Sequence, residues 1–139
     1  DLGLKTSLEM LVQKFQSRSE DCAIKAQFSG PEVALPLEVS LSIYRIAQEA
    51  LNNVIRHATA HKAVLILETT SEAVILTIKD DGVGFAVPLQ FSNNASEGHY
   101  GLLGIYERAE LIHAKLEIHS KIGGGTQIRV EWKPSSVQE

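Results

Sequence analysis

The sequence predicts an α/β fold, a two-layer sandwich in which a mixed, mostly antiparallel five-stranded sheet carries helices on one face. Three observations predict it. Five short runs read as strands, and four of them alternate apolar and polar residues, as a sheet with one buried and one wet face requires. Stretches of helical periodicity are interleaved with these strands, and a hairpin closes the chain. No GxGxxG follows the first strand, which argues against a doubly wound βαβ sheet.

In chain order, Leu4, Leu8, Leu11, Val12 and Phe15 recur at helical spacing and predict a first amphipathic helix. After a polar SRSED, Cys22, Ile24, Ala26 and Phe28 alternate with Ala23, Lys25 and Gln27, predicting a strand. Gly30 and Pro31 turn the chain, and Pro36 is placed as a first-turn proline opening one long helix over 37–58. Two β-rich runs, 62–70 and 72–79, form an antiparallel pair, and the second ends in DDGVGF. Residues 86–98 are rich in Ser and Asn without periodicity and read as a loop. GHYGLLG then leads into a short helix, IYERAELIHA, with Ile105, Ala109 and Ile112 inward. Leu116, Ile118 and Ser120 alternate with Glu117 and His119, and Ile128, Val130 and Trp132 with Arg129, Glu131 and Lys133. Gly123, Gly124 and Gly125 join these runs as a hairpin, and the tail from Pro134 is expected to fray. The chain divides into an N-terminal helix at 1–20, a domain at 21–133 and a tail at 134–139.

Composition limits the function. With 139 residues, 44% of them hydrophobic, the chain has enough material for one core. A net charge of -4 and scattered Lys and Arg give no basic footprint for nucleic acid. The lone Cys22 has no internal disulfide partner and fits a reducing compartment. No apolar run reaches the ~20 residues of a membrane span and no signal peptide opens the chain, so a cytoplasmic location is expected, with a parent protein that could be membrane-anchored.

The long helix has two faces. Ile43, Tyr44, Ala47, Ala50, Leu51, Val54, Ile55 and Ala58 form an apolar side, and Ser42, Arg45, Glu49, Asn52, Asn53 and Arg56 a polar strip. Glu49 and Asn53 stand one turn apart and can address one ligand. Successive mid-helix Asn residues each cost roughly 0.5–0.7 kcal/mol against Ala, so helix stability does not explain them. A solvated helix face is the plain alternative. Asp80 ends an apolar strand before Gly82 and Gly84, where a carboxylate can accept a hydrogen bond while glycines let a planar ring approach; an ordinary Asp-Gly turn is the alternative. Gly98, Gly101 and Gly104 precede a helix, whose N-terminus favours phosphate, although glycines are also common in plain loops there. Gly123, Gly125 and Thr126 also suit a simple hairpin turn. No Walker loop GxxxxGK[ST] is present.

Together these segments resemble four ordered motifs of one family. Glu49 and Asn53 look like the N box, DDGVGF like the DxGxG box, GHYGLLGIYER like the second glycine box and GGGTQIRV like the third of the ATP-binding domain of sensor histidine kinases. These belong with the gyrase, Hsp90 and MutL ATPases. RIAQEALNNVIRHA and GLLGIYERA are most similar to the kinases paired with NarL-type response regulators, and DLGLKTSLEMLVQKF resembles the segment after their dimerisation helices.

The resemblance implies a Bergerat-type ATP-binding fold with ATP and Mg²⁺ as ligands. It places Asn53 on the magnesium ion and Glu49 at the base position beside the reacting centre. Asp80 would read the adenine amino group, with Gly82 and Gly84 shaping the base pocket and Thr126 supporting it. Gly101, Leu102 and Gly104 would line the phosphate end, with Asn52, Arg56 and His57 as phosphate neighbours. Residues 86–97 correspond to the ATP lid, and Phe85 has no counterpart to a separate phenylalanine box.

None of His57, His61, His99, His113 or His119 resembles the ExxRxxIAxxLHD phosphoacceptor helix of the family. The acceptor is therefore expected upstream, in a parent that forms a homodimer, while this piece is expected to be monomeric and to bind ATP without phosphorylating itself. His57 and His61 have a zinc-compatible spacing, but HATAH lacks the Glu of HExxH and no third ligand is evident. Two other functions share these motifs: an anti-sigma-type serine kinase and a non-catalytic module that signals through nucleotide-dependent ordering.

Overall fold

Alternation and helical periodicity put the apolar residues of each element on one side, and in the computed structural model those sides meet in a single layer. Residues 3–86 and 101–134 are described. The elements are α1 (Gly3–Arg18), β1 (Ala23–Ser29), α2 (Leu37–Asn53) running into a π-helical turn (Val54–Ala58), β2 (Lys62–Thr69), β3 (Val74–Asp80), α3 (Leu102–Leu111), β4 (Lys115–Ser120) and β5 (Thr126–Trp132). The predicted tail beyond Pro134, most of the predicted lid and Gly98 lie outside the described residues.

The sheet has the order β1-β2-β3-β5-β4. β1 runs parallel to β2 and the remaining pairs are antiparallel, so the sheet is mixed and mostly antiparallel as the sequence predicts. Its register stacks Leu65, Ile78, Ile128 and Ile118 in one row and Leu67, Leu76, Val130 and Leu116 in another. Most of these side chains are buried under α1 and α2, where Leu8, Leu11, Phe15, Ile43, Ile46 and Leu51 complete the core. Each such burial stabilises by about 1.5–3 kcal/mol. Trp132 packs into the same layer. On the opposite face the charges of Lys115, Glu117, Arg129, Glu131 and Lys133 form a chain of ion pairs at 3.4–3.9 Å.

Gln16 fastens α1 to β1: its Nε2 donates to the Cys22 carbonyl at 3.0 Å and its Oε1 accepts from the Ile24 N–H at 2.6 Å. Cys22 lies just before β1 and is buried, as its place in the alternation predicts. The β2–β3 turn is held by Thr70, whose Oγ1 accepts from the N–H groups of Glu72 and Ala73 at 3.1 and 3.0 Å.

Four sequence expectations need correction. The long helix is α-helical only to Asn53, because its last turn widens into a π turn that ends at Thr59 in the left-handed region. Pro36 stands just outside α2 rather than in its first turn, where its carbonyl accepts from the N–H groups of Val39 and Ser40. Ser42 is buried instead of lying on the solvent strip. Its place one turn before Ile46 puts it at the margin of the apolar face, where a small side chain is readily covered. Finally, α3 begins at Leu102, so Gly104 is inside the helix rather than ahead of it.

Candidate functional site

The register that builds the core also builds a polar row. Asp80 on β3 pairs with Thr126 on β5, and Thr126 pairs with Ser120 on β4. The row ends where β3 stops and the chain must turn, beneath the C-terminal half of the long helix. Ala50, Asn53, His57, Ala58, Ile78, Asp80, Val83, Gly84, Phe85, Thr126 and Ile128 line a cleft there. The sequence anticipated Asn53, His57, Asp80, Gly84 and Thr126, and the fold brings those five together.

Adjacent carboxylates have separate duties. Asp81 leaves the cleft and its Oδ1 accepts from the N–H groups of His61 and Lys62 at 2.8 and 2.9 Å, which holds its carboxyl below the ordinary value and fastens the start of β2. Asp80 stays in the cleft, where its Oδ1 accepts from the Gly82 N–H at 2.8 Å. Burial pushes the Asp80 carboxyl above the ordinary value and the Asp81 charge adds to this, whereas the N–H groups of Gly82 and Thr126 oppose it.

The turn after Asp80 is bound on both sides. Gly82 lies so close to Ala58 that a Cβ would collide with its carbonyl, and the Val83 N–H donates to that same oxygen at 2.7 Å. That contact meets the π turn from outside, and single π turns of this kind recur at functional sites. Gly84 has φ +68° and rests against the Lys121 and Gly125 carbonyls, where any side chain would clash. The Val83 carbonyl accepts from the Gly123 N–H at 2.5 Å and the Ser120 hydroxyl from the Phe85 N–H at 2.9 Å. The DDGVGF turn and the β4–β5 hairpin are therefore one unit.

At the other end, Asn53 lines the cleft and its Nδ2 is buried without a partner among the described residues. A buried amide left unpaired costs about 1–3 kcal/mol, unless its group serves a ligand. Asn53 also supplies a carbonyl oxygen, the donor type that a hard divalent cation accepts. Among the described residues no three His, Cys, Asp or Glu side chains converge, so a cation at Asn53 would take most of its ligands from phosphate and water. The residues present fit magnesium on those terms.

Glu49 does not line this cleft but faces the start of α3, where its Oε2 stands 2.6 Å from the place a Cβ on Gly101 would occupy. Gly101 precedes α3 with φ 70°, and Leu102 is fully buried in the core. Gly104 lies inside α3, and its carbonyl accepts from Arg108 Nη1 at 3.4 Å. Asn52 is half-buried and Arg56 exposed, and both lie outside the cleft lining.

Sequence reasoning missed the apolar walls, Ala50, Ala58, Ile78, Val83 and Ile128, together with Phe85 and the supporting Ser120. Alanines at 50 and 58, eight residues apart on the face that meets the sheet, were the available signal for a wall left thin. The result is a slot with apolar sides, a carboxylate at one end and an amide at the other. Its enclosed space is small, about 50 Å³, room for a few waters, so a ring-sized ligand requires it to widen.

Residues 38–136 match the family of histidine kinase-, DNA gyrase B- and HSP90-like ATPases. The chain is 32% identical over 133 residues to the signal transduction histidine-protein kinase/phosphatase DegS of Bacillus subtilis, covering 94% of this chain and 34% of that protein. It is 26% identical over 132 residues to the nitrate/nitrite sensor protein NarX of Escherichia coli, covering 95% of this chain and 21% of that protein. Its fold matches the histidine kinase domain of the Erythrobacter litoralis EL346 blue-light activated histidine kinase with a TM-score of 0.72 at 22% identity, covering 96% of this chain and 62% of that one. It also matches the Acinetobacter baumannii histidine kinase AdeS with a TM-score of 0.73 at 16% identity, covering 94% of this chain and 64% of that one. The chain thus spans about a third or less of the length of these curated relatives.

Proposed function

The chain belongs to the histidine kinase-, DNA gyrase B- and HSP90-like ATPase family, and from that membership we propose that it is the Mg-ATP-binding catalytic domain of a two-component sensor histidine kinase. In this reading it transfers the γ-phosphoryl group of ATP to a histidine on an upstream dimerisation helix outside the 139 residues. One observation carries the reading: the fold gathers Asn53, Asp80, Gly84 and Thr126 from three separate motifs around one slot with apolar walls.

The base end accepts: the Asp80 carboxylate takes a hydrogen bond from the adenine amino group, with Thr126 beside it. Gly84 lets the backbone lie flat against the slot, and Ala50 and Ala58 keep its wall thin where it must widen to admit a ring. At the phosphate end the Asn53 carbonyl holds magnesium, which when bound neutralises phosphate charge. Glu49, against the start of α3, orients the target imidazole and takes up its proton. A neutral imidazole at pH 7 needs no strong base, so positioning and charge neutralisation suffice for transfer. Gly101 and the first N–H groups of α3 complete the phosphate side, with Arg56 and Asn52 nearby.

Among the described residues no helix is long and apolar enough to cross a membrane. The proposal places this domain in the cytoplasm, in a homodimeric parent that could be membrane-anchored and that passes phosphate to a NarL-type response regulator.

Isothermal calorimetry with ATP, with and without Mg²⁺, tests the binding half. Transfer from [γ-³²P]ATP to a separately supplied histidine-bearing dimerisation fragment tests the other half. Magnesium-dependent binding together with a phosphohistidine product is expected. Absence of ATP binding sinks the proposal, and transfer to a serine of a partner protein would replace it with a serine kinase.

A further inference from the structure

The Ser120 hydroxyl is filled to capacity. It has three partners: the Phe85 N–H at 2.9 Å, the Gly125 carbonyl at 3.1 Å and Thr126 Oγ1 at 2.8 Å. A serine hydroxyl has one proton and two lone pairs. The Gly125 carbonyl can only accept, so it takes the Ser120 proton. The Phe85 N–H can only donate, so it occupies one lone pair. The remaining lone pair is open only to a donor, and Thr126 must supply its hydroxyl proton to fill it. One arrangement satisfies all three contacts, and in that arrangement Thr126 has no proton left for the cleft that it lines.

We propose that Ser120 is a positioning residue that sets the hydrogen-bonding polarity of the base pocket, making Thr126 an acceptor and so selecting a purine with an amino group over one with a keto oxygen. This rests on the reading of the cleft as an adenine site. The pocket then offers two acceptors on neighbouring strands, the Asp80 carboxylate and Thr126 Oγ1, which occupy paired positions in the sheet. An exocyclic amino group brings two protons to such a pair. A 6-keto purine brings a lone pair at that position and a single proton, at N1, so at least one of the two acceptors is left unpaired in a desolvated slot, which is the costly case in recognition. Ser120 itself never touches the base. Its effect passes through the direction of one hydroxyl proton, a direction also locked by the Phe85 N–H at the root of the DDGVGF turn.

The experiment compares dissociation constants for ATP and ITP, which differ in the 6-substituent and in the proton that the keto form carries at N1, on the 139-residue chain by calorimetry. In Ser120→Ala the Thr126 hydroxyl is released to rotate and donate, and the ATP-over-ITP preference is expected to fall by about tenfold, mostly through tighter ITP binding. Ser120→Thr keeps the hydroxyl and is expected to keep the preference. If Ser120→Ala does not fold, Ser120→Cys fills the same space with a weak donor and acceptor, and a partial fall is expected. Circular dichroism identifies which variants fold. An unchanged preference in a folded Ala or Cys variant overturns the role of Ser120 alone. A wild-type chain that binds ATP and ITP equally, or neither, overturns the adenine site and this inference with it.

Discussion

The two ends of the cleft are built differently. At the proposed base end, Asp80, Gly82, Gly84, Phe85, Ser120 and Thr126 are joined by hydrogen bonds and close backbone contacts before any ligand arrives. At the proposed phosphate end, Asn53 has a buried amide nitrogen without a partner among the described residues, and Glu49 faces a glycine at a helix start. Preorganisation is thus concentrated at the end where the proposal places the base. The end that would handle phosphate keeps a polar group unsatisfied, a cost a ligand can offset. Stability and function should accordingly separate along the cleft.

Asn53→Ala gives the largest separation. Loss of the cation contact should cost several kcal/mol of Mg-dependent ATP binding, on the order of 100-fold or more. Removing an unpaired buried amide should leave stability unchanged or raised. Calorimetry beside urea denaturation checks both, and a variant that binds Mg-ATP normally, or that unfolds, would break the contrast. Gly84→Ala should behave in the opposite sense: positive φ and a clash with two carbonyls should destabilise the chain by about 2–4 kcal/mol, read from the urea midpoint. A wild-type midpoint would mean that the turn is not woven to the hairpin.

Asp80→Asn sharpens the comparison within the base end. Loss of a charged acceptor should weaken ATP by about 1.5–3 kcal/mol while inorganic triphosphate is little affected; equal losses would remove Asp80 from the base pocket. The same change should not destabilise at neutral pH. The folded-state value of Asp80 is raised, so the folded chain binds its proton more readily than the unfolded chain. Its contribution to stability is therefore best at acid pH and falls as pH rises through the window between the unfolded and the raised folded values. Asp81 has the opposite sign: its folded value is lowered, so its contribution is present at neutral pH and is lost on acidification. Thermal melts of Asp80→Asn and Asp81→Asn from pH 3 to 7 should diverge in slope. The smallest effect belongs to the outer face, where Arg129→Ala should cost at most about 1 kcal/mol, because partly exposed ion pairs are worth little.

How much of this was legible follows from how local each signal is. Alternation in 116–120 and 126–132 depends on which face meets the core, so strands and sheet faces were readable. Asn53 and Asp80 stood out because their residue types were poorly explained by the elements carrying them. The π turn was not readable, since VIRHA has unremarkable helical periodicity. The Val83 N–H and Gly82, a quarter of a hundred positions downstream, are what meet its last carbonyl. Ser120 read as one more inward strand residue, because its three partners come together only when β4, β5 and the DDGVGF turn are assembled. Gly101 and Gly104 looked alike as glycines ahead of a helix, yet one precedes α3 and the other lies within it.

The parallel pairing of β1 with β2 has a practical consequence for where the chain can be cut. The family match begins at residue 38, yet β1 pairs with β2 from Lys62 to Glu68 and α1 contributes Leu8, Leu11, Val12 and Phe15 to the shared core. A protein shortened to the matched segment would carry every motif residue and still present the bare backbone of an apolar inner strand. Such an edge recruits strands from neighbouring molecules, so the shortened protein should aggregate although its candidate site residues are complete.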